Sequence, residues 1–367
     1  MYASPVTSTI KMPWILLILA FPIMGLGLYL LVGLNGGTAK MRKRYQKIDE
    51  QLLPCLPQNR TIQKKLEQIL PKAGNISSYI YRNAFYPVYQ NTDVTYFDEA
   101  VKGLEAQLTD LAKAEQFIFM EYHAIEDEYA WSRIQTVLEE RVKAGVEVRV
   151  FYDDMGSIRF VNLSFARKLE AKGIACRVFN PLLPGLNMFL NNRDHRKICV
   201  IDGQVGYVGG VNLADEYINE KERFGHWKDT AVLLRGDAVQ SLTMIFLQMW
   251  DVDMRGVEPY GKYLTKKADT LNEKLGYVIP YADSPFDHEN VGEEVYFHIL
   301  NHAKKYVHIM TPYLILDNEM LTTLIRAAKS GIEVIIIMPH IPDKWYAFAV
   351  AKTYYKELIE GGVQIYE

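Results

Sequence analysis

Two residues of this sequence, His195 and Lys197, have the types and the spacing that suit chemistry at phosphorus. The stretch from His195 to Gly203 is typical of a strand that ends in a turn, and side chains two apart on a strand point to the same side. An imidazole with an ordinary pKa of about 6.5 is substantially neutral in the cytosol and can attack phosphorus without a strong base. The neighbouring ammonium can bind phosphate oxygens.

Three further candidates follow the same strand. Gly209 and Gly210 let the backbone approach a ligand closely, and Asn212 stands two positions later. An imidazole, a fixed cation and glycine-flanked amides together suit a tetrahedral phosphate. Asp202, five residues after Lys197, has two interpretations that stay open here. It acts directly in the chemistry, or it orders the turn by accepting backbone hydrogen bonds.

The elements that must position these residues occur twice along the chain. In each copy a helical pattern leads to an apolar, β-branched run, and a glycine turn joins the next pair. Gly145 corresponds to Gly331 and Gly173 to Gly362, at offsets of 186 and 189. Such ordered matches at a nearly constant offset disfavour chance repetition. The pattern predicts an α/β fold with two similar halves around a largely buried sheet.

The repeat also predicts the domain organisation. We expect a first half at 91–258 that contains the string at 195–202, and a second half at 276–367. The counterpart of His195 in the second copy would fall at about position 384, beyond Glu367. We therefore expect the second half to be incomplete and the chain to be a fragment or a truncated reading frame, with its own activity in doubt.

An uncharged, apolar segment lies near the N-terminus. From Met12 to Leu34 there is no charged residue, and 23 residues of helix reach about 34 Å, enough to cross a bilayer core. This length predicts a transmembrane helix at 12–34 rather than a core helix or a signal peptide. Five cations follow it, which predicts a cytoplasmic body by the positive-inside rule: Lys40, Arg42, Lys43, Arg44 and Lys47. Residues 35–90 would form a juxtamembrane linker.

The composition excludes other classes of protein. A formal net charge of −3 argues against a nucleic-acid binder, which needs a basic excess. The cysteines Cys55, Cys176 and Cys199 are far apart and odd in number, which fits neither a disulfide framework nor a zinc site. We expect no metal and no cofactor.

The string His-x-Lys-x-x-x-x-Asp, filled by His195, Lys197 and Asp202, resembles the HKD signature of the phospholipase D superfamily. Gly209-Gly210-x-Asn212 is similar to the glycine-rich tail of that motif, in the Gly-Gly form. Within the superfamily, three more segments resemble the bacterial cardiolipin synthases, and the similarity runs along nearly the whole chain. These segments are Tyr152–Ser157, Asn192–Lys197 and Trp227–Asp229.

This resemblance implies two α/β/α halves with a mixed sheet behind the transmembrane helix, and a phosphatidyltransferase at the bacterial inner membrane. His195 would attack one phosphatidylglycerol to give a phosphatidyl-histidine, and Lys197 and Asn212 would hold the phosphate oxygens. A second phosphatidylglycerol would then yield cardiolipin, while the histidine of a second motif protonates the departing glycerol. Two alternatives stay open: a phospholipase that transfers to water, and an inactive membrane-bound half-site protein. The expected partners are phosphatidylglycerol and other membrane lipids, with no nucleic acid.

A last apolar segment lies just before the catalytic string. The loop from Pro181 to Leu190 is predicted either to dip into the membrane or to pack on its own domain, and the sequence alone does not decide between them.

Overall fold

The structure, a computed structural model, describes residues 8–30, 36–161, 164–181, 193–252, 259–264, 276–284, 286 and 289–367, without the side chains of 8–10 and 36–40. The apolar loop at 182–190 lies outside the described residues. Five helices precede the first strand: α1 (Ser8–Ala20), α2 (Pro22–Leu28), α3 (Gly36–Leu52), α4 (Arg60–Ile69) and α5 (Pro71–Ala84).

The N-terminal segment is not the continuous helix that we predict over 12–34. Helix α1 ends at Ala20 and α2 begins at Pro22, because proline cannot donate a helical hydrogen bond and keeps the preceding residue out of the helical region. Phe21 accordingly has φ −136° and ψ 76°. Across the described part of the chain, no helix combines the length and the apolar character needed to span a membrane. Residues 31–34 of the predicted span lie outside that part.

A mixed seven-stranded sheet forms the first half. Its strands are β1 (Thr92–Phe97), β2 (Phe117–Tyr122), β3 (Glu147–Asp153), β4 (Ala175–Phe179), β5 (Lys197–Ile201), β6 (Val205–Gly209) and β7 (Ala231–Gly236), in the spatial order β1-β7-β6-β5-β2-β3-β4. Strands β2, β3 and β4 are parallel to one another. Strand β5 runs antiparallel to β2 and pairs Lys197 with Tyr122. The start of β5 therefore lies beside the carboxyl end of β2.

Helices pack apolar side chains on both faces of this sheet, and the side-chain alternation of the strands decides which residues face which core. One face, including Met120 and Cys199, packs on α6 (Ala100–Leu111), α7 (Tyr129–Lys143) and α9 (Phe165–Glu170). The other face, including Phe119 and Val200, packs on α3 and α10 (Val239–Asp251). A short helix, α8 (Asp154–Ser157), follows β3 directly.

The second half repeats the parallel part of this design. Strands β8 (Tyr306–Met310), β9 (Glu333–Ile337) and β10 (Gln364–Tyr366) form a parallel sheet with helices α11 (Val291–His302), α12 (Asn318–Lys329) and α13 (Trp345–Glu360). The paired glycines confirm the repeat, since all four take positive φ: 90° at Gly145 and 88° at Gly331, 83° at Gly173 and 95° at Gly362. Only glycine adopts such angles without strain. The domain boundaries stay predictions.

Candidate active site

His195 and Lys197 lie at the start of β5. The strand begins at Lys197, so His195 precedes the strand rather than opening it, contrary to the expected strand start. The Lys197 side chain is buried, and its ammonium donates to the carbonyl oxygen of His195 at 2.7 Å. His195 remains exposed to solvent. The two residues therefore form one unit, with the imidazole at the surface and the cation beneath it.

A second histidine contacts the first. His123 follows β2 directly, and its ring centroid lies 4.6 Å from that of His195. Its Nδ1 lies 2.7 Å from the carbonyl oxygen of Asp194, and because a carbonyl only accepts, Nδ1 carries the proton and donates. No spacing in the sequence predicts His123, because this residue comes to His195 only through the pairing of β2 with β5.

The buried carboxylate of Asp153 connects the segment before His195 to the turn after β3. Asp153, at the end of β3, accepts hydrogen bonds from the backbone amides of Asp194 at 2.9 Å and Gly156 at 3.0 Å, and from Arg193 at 3.3 Å. A Cβ on Gly156 would lie only 2.2 Å from the carbonyl oxygen of His123, so the turn after β3 can pack here only with glycine. Asp153 thus fixes the position of the chain segment that leads to His195.

Burial shifts the protonation of both central groups. The pKa of His195 is lowered to about 4, first by burial and then by the positive charge of Lys197, with smaller effects of His123 and Lys344. The pKa of Lys197 is lowered to about 8 by burial, which Asp194, Asp229 and Asp153 partly oppose. Near neutral pH the imidazole is therefore a neutral nucleophile and the lysine is still mostly a cation.

A second layer of buried charge supports the same segment from the other face of the sheet. Arg196 lies 3.5 Å from the carboxylate of Glu121 and donates to the carbonyl oxygen of Asp283 at 2.8 Å. Burial, followed by the neighbouring charge of Asp194, raises the pKa of Glu121. Neighbouring residues at the start of β5 thus have different roles: Arg196 anchors the segment inside, while His195 and Lys197 face the site.

Gly209 and Gly210 have a packing reason to be glycine. A Cβ on Gly210 would lie 2.2 Å from the Asp229 carboxylate, and one on Gly209 would lie 2.5 Å from the carbonyl oxygen of Thr230. Gly209 also lines a small cavity of about 30 Å³ together with Lys197 and Asn212. Their predicted contact with a phosphate stays a prediction.

Asn212 is buried close to Lys197 and already engages both ends of its amide. Its oxygen accepts from the backbone amide of Ala124 at 3.0 Å, and its nitrogen donates to the hydroxyl of Tyr217 at 2.7 Å. The geometry joins the loop after β2 to the loop after β6. A contact between Asn212 and a phosphate oxygen remains a prediction.

Asp202 is not brought to the other members of its motif. It lies at the far end of β5 from Lys197, and its carboxylate accepts hydrogen bonds from the backbone amides of Glu115, Gln116 and Phe117, each at 2.8 Å. Its φ of 52° is that of a turn residue. Of the two roles left open by the sequence, this is the geometry of turn ordering.

No metal cluster accompanies these groups in the part of the chain that the structure describes, where at most two His, Cys, Asp or Glu side chains converge on any one point that could hold an ion.

The fold and this site define a phospholipase D-like protein. A family model described as "Cardiolipin synthase, PLD-like domain" matches residues 108–250 and 296–367. The chain is 34% identical to a cardiolipin synthase of Geobacillus kaustophilus, over 96% of this chain and 70% of that protein. It is 46% identical to an uncharacterized protein of Streptococcus mutans, over 96% of this chain and 76% of that protein. The chain therefore belongs to the cardiolipin synthase family of phospholipase D-like proteins.

A solved structure agrees with this fold. The phosphatidylserine synthase of Haemophilus influenzae superimposes with a TM-score of 0.51 over 79% of this chain and 73% of that one, at 13% sequence identity. At this identity the likeness concerns the fold alone.

Proposed function

We propose that this phosphatidyltransferase joins two molecules of phosphatidylglycerol into cardiolipin and releases glycerol. Membership of the cardiolipin synthase family supports the reaction class. The single observation that carries the mechanism is the His195–Lys197 unit, in which an imidazole with a pKa of about 4 stands beside a lysine with a pKa of about 8. A neutral nucleophile and a cation are thus present together at neutral pH.

In the first step, an imidazole nitrogen of His195 attacks the phosphorus of one phosphatidylglycerol. A P–N bond forms, the P–O bond to the headgroup glycerol breaks, and the glycerol oxygen takes up a proton from a general acid. By family resemblance that acid is the histidine of a second HKD string. General acid catalysis of this kind contributes about 10²–10⁴-fold.

In the second step, the terminal hydroxyl of another phosphatidylglycerol attacks the phosphorus. Its proton passes to the group that acted as acid, a P–O bond forms, and the P–N bond to His195 breaks. The products are cardiolipin and the regenerated imidazole. Lys197 stabilises the negative charge on the non-bridging oxygens in both steps, where a preorganised cation in a partly dry site is most effective.

The remaining motif residues act by positioning in this proposal. Asp202 holds the start of β2 through three backbone amides, and β2 in turn carries His123 and pairs with Lys197. Asn212 directs its amide nitrogen toward a phosphate oxygen when the lipid displaces the Tyr217 hydroxyl. Gly210 allows Asp229 to approach and balance the charge of Lys197, and Gly209 allows the backbone at Thr230 to pack closely.

The N-terminal segment attaches the protein to the membrane in this account, with the body on the cytoplasmic side. Helices α1 and α2 and the residue between them expose large apolar side chains, including Leu16 at 61%, Leu19 at 72%, Phe21 at 56% and Ile23 at 91%. So much exposed apolar surface in one segment is typical of contact with lipid. Contact with lipid brings the active site close to its membrane-bound substrate.

The test is product analysis with labelled phosphatidylglycerol in vesicles. The proposal predicts cardiolipin and glycerol, and His195→Gln abolishes both. Phosphatidic acid as the main product would assign the protein to the hydrolases instead. No lipid product at all from the folded protein would contradict the proposal.

A further inference from the structure

A loop of the second half contacts the first half at Gly225, two residues before Trp227, whose ring centroid lies 4.7 Å from that of Tyr217. The loop that follows β9 brings Ile341 against the first half, where a Cβ on Gly225 would lie 3.2 Å from the Ile341 Cδ1. The next residues of the loop are Asp343 and Lys344. Lys344 exerts its positive charge on His195, and Asp343 exerts its negative charge on Tyr217, the partner of Asn212. The family motif of the first half includes none of these side chains.

Tyr313 and Asp343 hold Lys344 in place. Its ammonium donates to the hydroxyl of Tyr313 at 2.9 Å and lies 4.7 Å from the centroid of that ring. The Asp343 carboxylate is 3.9 Å away and accepts a short hydrogen bond from the Tyr313 hydroxyl. The side chain of Lys344 is 48% exposed, so a ligand can reach it. An ion pair with this separation and this exposure contributes little to the stability of the fold by itself.

Two lysines place positive charge at His195. Lys197, two residues along the chain, and Lys344, beyond β9, both lower the pKa of its imidazole. The carboxylates of Asp153, Asp194 and Asp229 already act on Lys197, whereas Lys344, 48% exposed, adds a cation that an anionic ligand can reach.

The internal repeat explains how Lys344 comes to this place. In the first half, the carboxyl ends of β2 and β3 lead to His123 and Asp153. In the second half, the corresponding strands β8 and β9 lead to Tyr313 and Lys344. Residues beyond the carboxyl ends of neighbouring parallel strands form the ligand sites of open α/β sheets. Each half thus uses the same edge of its sheet.

We infer that Lys344, positioned by Tyr313, binds the phosphodiester anion of a lipid substrate at the His195 site, as a second cation beside Lys197 that the second half of the chain provides. The lipid identity rests on the proposed function. The phosphodiester belongs either to the lipid that donates the phosphatidyl group or to the lipid that accepts it. The chemistry of recognition is the same for both.

The direct test is binding of glycerophosphoglycerol, the soluble headgroup phosphodiester, to the whole protein carrying ¹³C- and ¹⁵N-labelled histidine. NMR follows the His195 imidazole, which His195→Gln assigns. We expect Lys344→Met to weaken binding by about tenfold, as loss of a charge-assisted contact does, and Lys344→Arg to retain it. Tyr313→Phe should weaken binding less, by about threefold, because it removes only the positioning hydroxyl.

The matched control is Lys352→Met. Lys352 lies in the same half, 51% exposed, with its ammonium over the Phe348 ring at 4.6 Å and 3.5 Å from the Glu367 carboxylate. The Lys352→Met protein should bind glycerophosphoglycerol as tightly as the wild type does. A Lys344→Met protein that binds as tightly as the Lys352→Met protein would overturn the inference.

The pKa of His195 supplies a readout that a merely structural lysine would not move. Removal of a nearby cation stabilises the imidazolium, so Lys344→Met should raise the pKa of His195 from its value of about 4, while Lys344→Arg leaves it there. An unchanged pKa in Lys344→Met would contradict the placement of this charge at the imidazole.

Turnover of phosphatidylglycerol vesicles distinguishes the two sources of the phosphodiester. If Lys344 holds the donor, Lys344→Met lowers both cardiolipin formation and hydrolysis to phosphatidic acid. If it holds the acceptor, cardiolipin formation falls and hydrolysis persists. Unchanged rates of both would overturn the inference and leave the proposed function standing. Absence of lipid turnover by the wild-type protein would contradict the proposed function. The glycerophosphoglycerol binding measurement would still test whether Lys344 binds the phosphodiester.

Discussion

The two halves of the molecule build the same three parallel strands and surround them differently. In the first half, β2–β3–β4 is extended by antiparallel strands and covered on both faces, so that Phe119 and Met120, on opposite faces, are both 0% exposed. In the second half, α12 and α13 cover one face of β8–β9–β10, where Ile336 is 0% exposed. On the other face Tyr306 and Met310 are 63% and 65% exposed.

The difference shows what makes the first half suited to catalysis. The low pKa values of His195 and Lys197 arise mainly from lost contact with water, which is partial for the exposed His195 and nearly complete for Lys197. This shielding requires β5 beside β2 with helices on both sides. Within the described residues of the second half, β8 pairs with β9 alone. Within its described residues, the second half contributes at its strand ends, through Tyr313 and Lys344.

The largest expected effect compares one histidine from each half. His195→Gln should lower the rate of cardiolipin formation by at least about 10³-fold, because it removes the nucleophile. His308→Gln, on the open face of the second sheet where His308 lies 2.7 Å from Glu333, should keep the rate within about twofold of the wild type. Initial rates with labelled lipid measure both, and equal losses in the two variants would break the comparison.

A tryptophan pair tests the difference in packing. Trp131 in α7 is 0% exposed, so Trp131→Ala should lower the free energy of unfolding by about 3–5 kcal/mol. Trp345 in α13 is 77% exposed, and Trp345→Ala should change it by about 0.5 kcal/mol or less. Urea unfolding followed by circular dichroism provides the values. A larger loss for Trp345 than for Trp131 would contradict the described burial.

The turn role of Asp202 predicts an effect on stability and not on chemistry. Asp202→Asn weakens three hydrogen bonds to backbone amides and should lower the free energy of unfolding by about 1–3 kcal/mol. The rate per folded molecule should stay near that of the wild type. If the rate of well-folded Asp202→Asn fell as far as that of His195→Gln, Asp202 would belong to the reacting groups.

The smallest effect concerns pH and sharpens the account of burial. The imidazole must be neutral and the lysine charged, so titration of these two groups should leave the rate unchanged between about pH 4 and pH 8, the pKa values of His195 and Lys197. The rate should fall below this window as the imidazole gains a proton, and above it as the ammonium loses one. Lys197→Arg should extend the alkaline limit, since arginine stays charged. A profile with an alkaline limb that Lys197→Arg does not move would exclude Lys197 as its cause.

Much of the fold could be predicted from local sequence patterns. The alternation of helical patterns and apolar runs predicted the α/β fold, and the matched pairs Gly145/Gly331 and Gly173/Gly362 revealed the repeat because both turns require positive φ. The transmembrane helix over 12–34 is not supported, because the helix breaks at Phe21, before Pro22, and no described helix is long and apolar enough to span a membrane. Sequence patterns are reliable for features that neighbouring residues determine, such as the glycine turns with positive φ.

The motif indicated the central pair, but its surroundings could not be predicted. His123, Asp153 and Lys344 are separated from His195 by 72, 42 and 149 positions, and only strand pairing and the contact between halves bring their charges together. Asp202 shows the opposite problem, since it is close to Lys197 in sequence and at the far end of the strand in space. The spacing of residues along a strand does not show at which end of that strand a carboxylate forms its hydrogen bonds.

The central claim is that His195 carries the phosphatidyl group, and trapping that group tests it most directly. The protein is mixed with short-chain phosphatidylglycerol, quenched within milliseconds at alkaline pH, where phosphoramidates persist, and digested for mass spectrometry. We expect the peptide that contains His195 to gain the mass of one phosphatidyl group, and the gain to disappear in His195→Gln. A phosphatidyl group found on another residue, or its persistence in His195→Gln, would contradict the account.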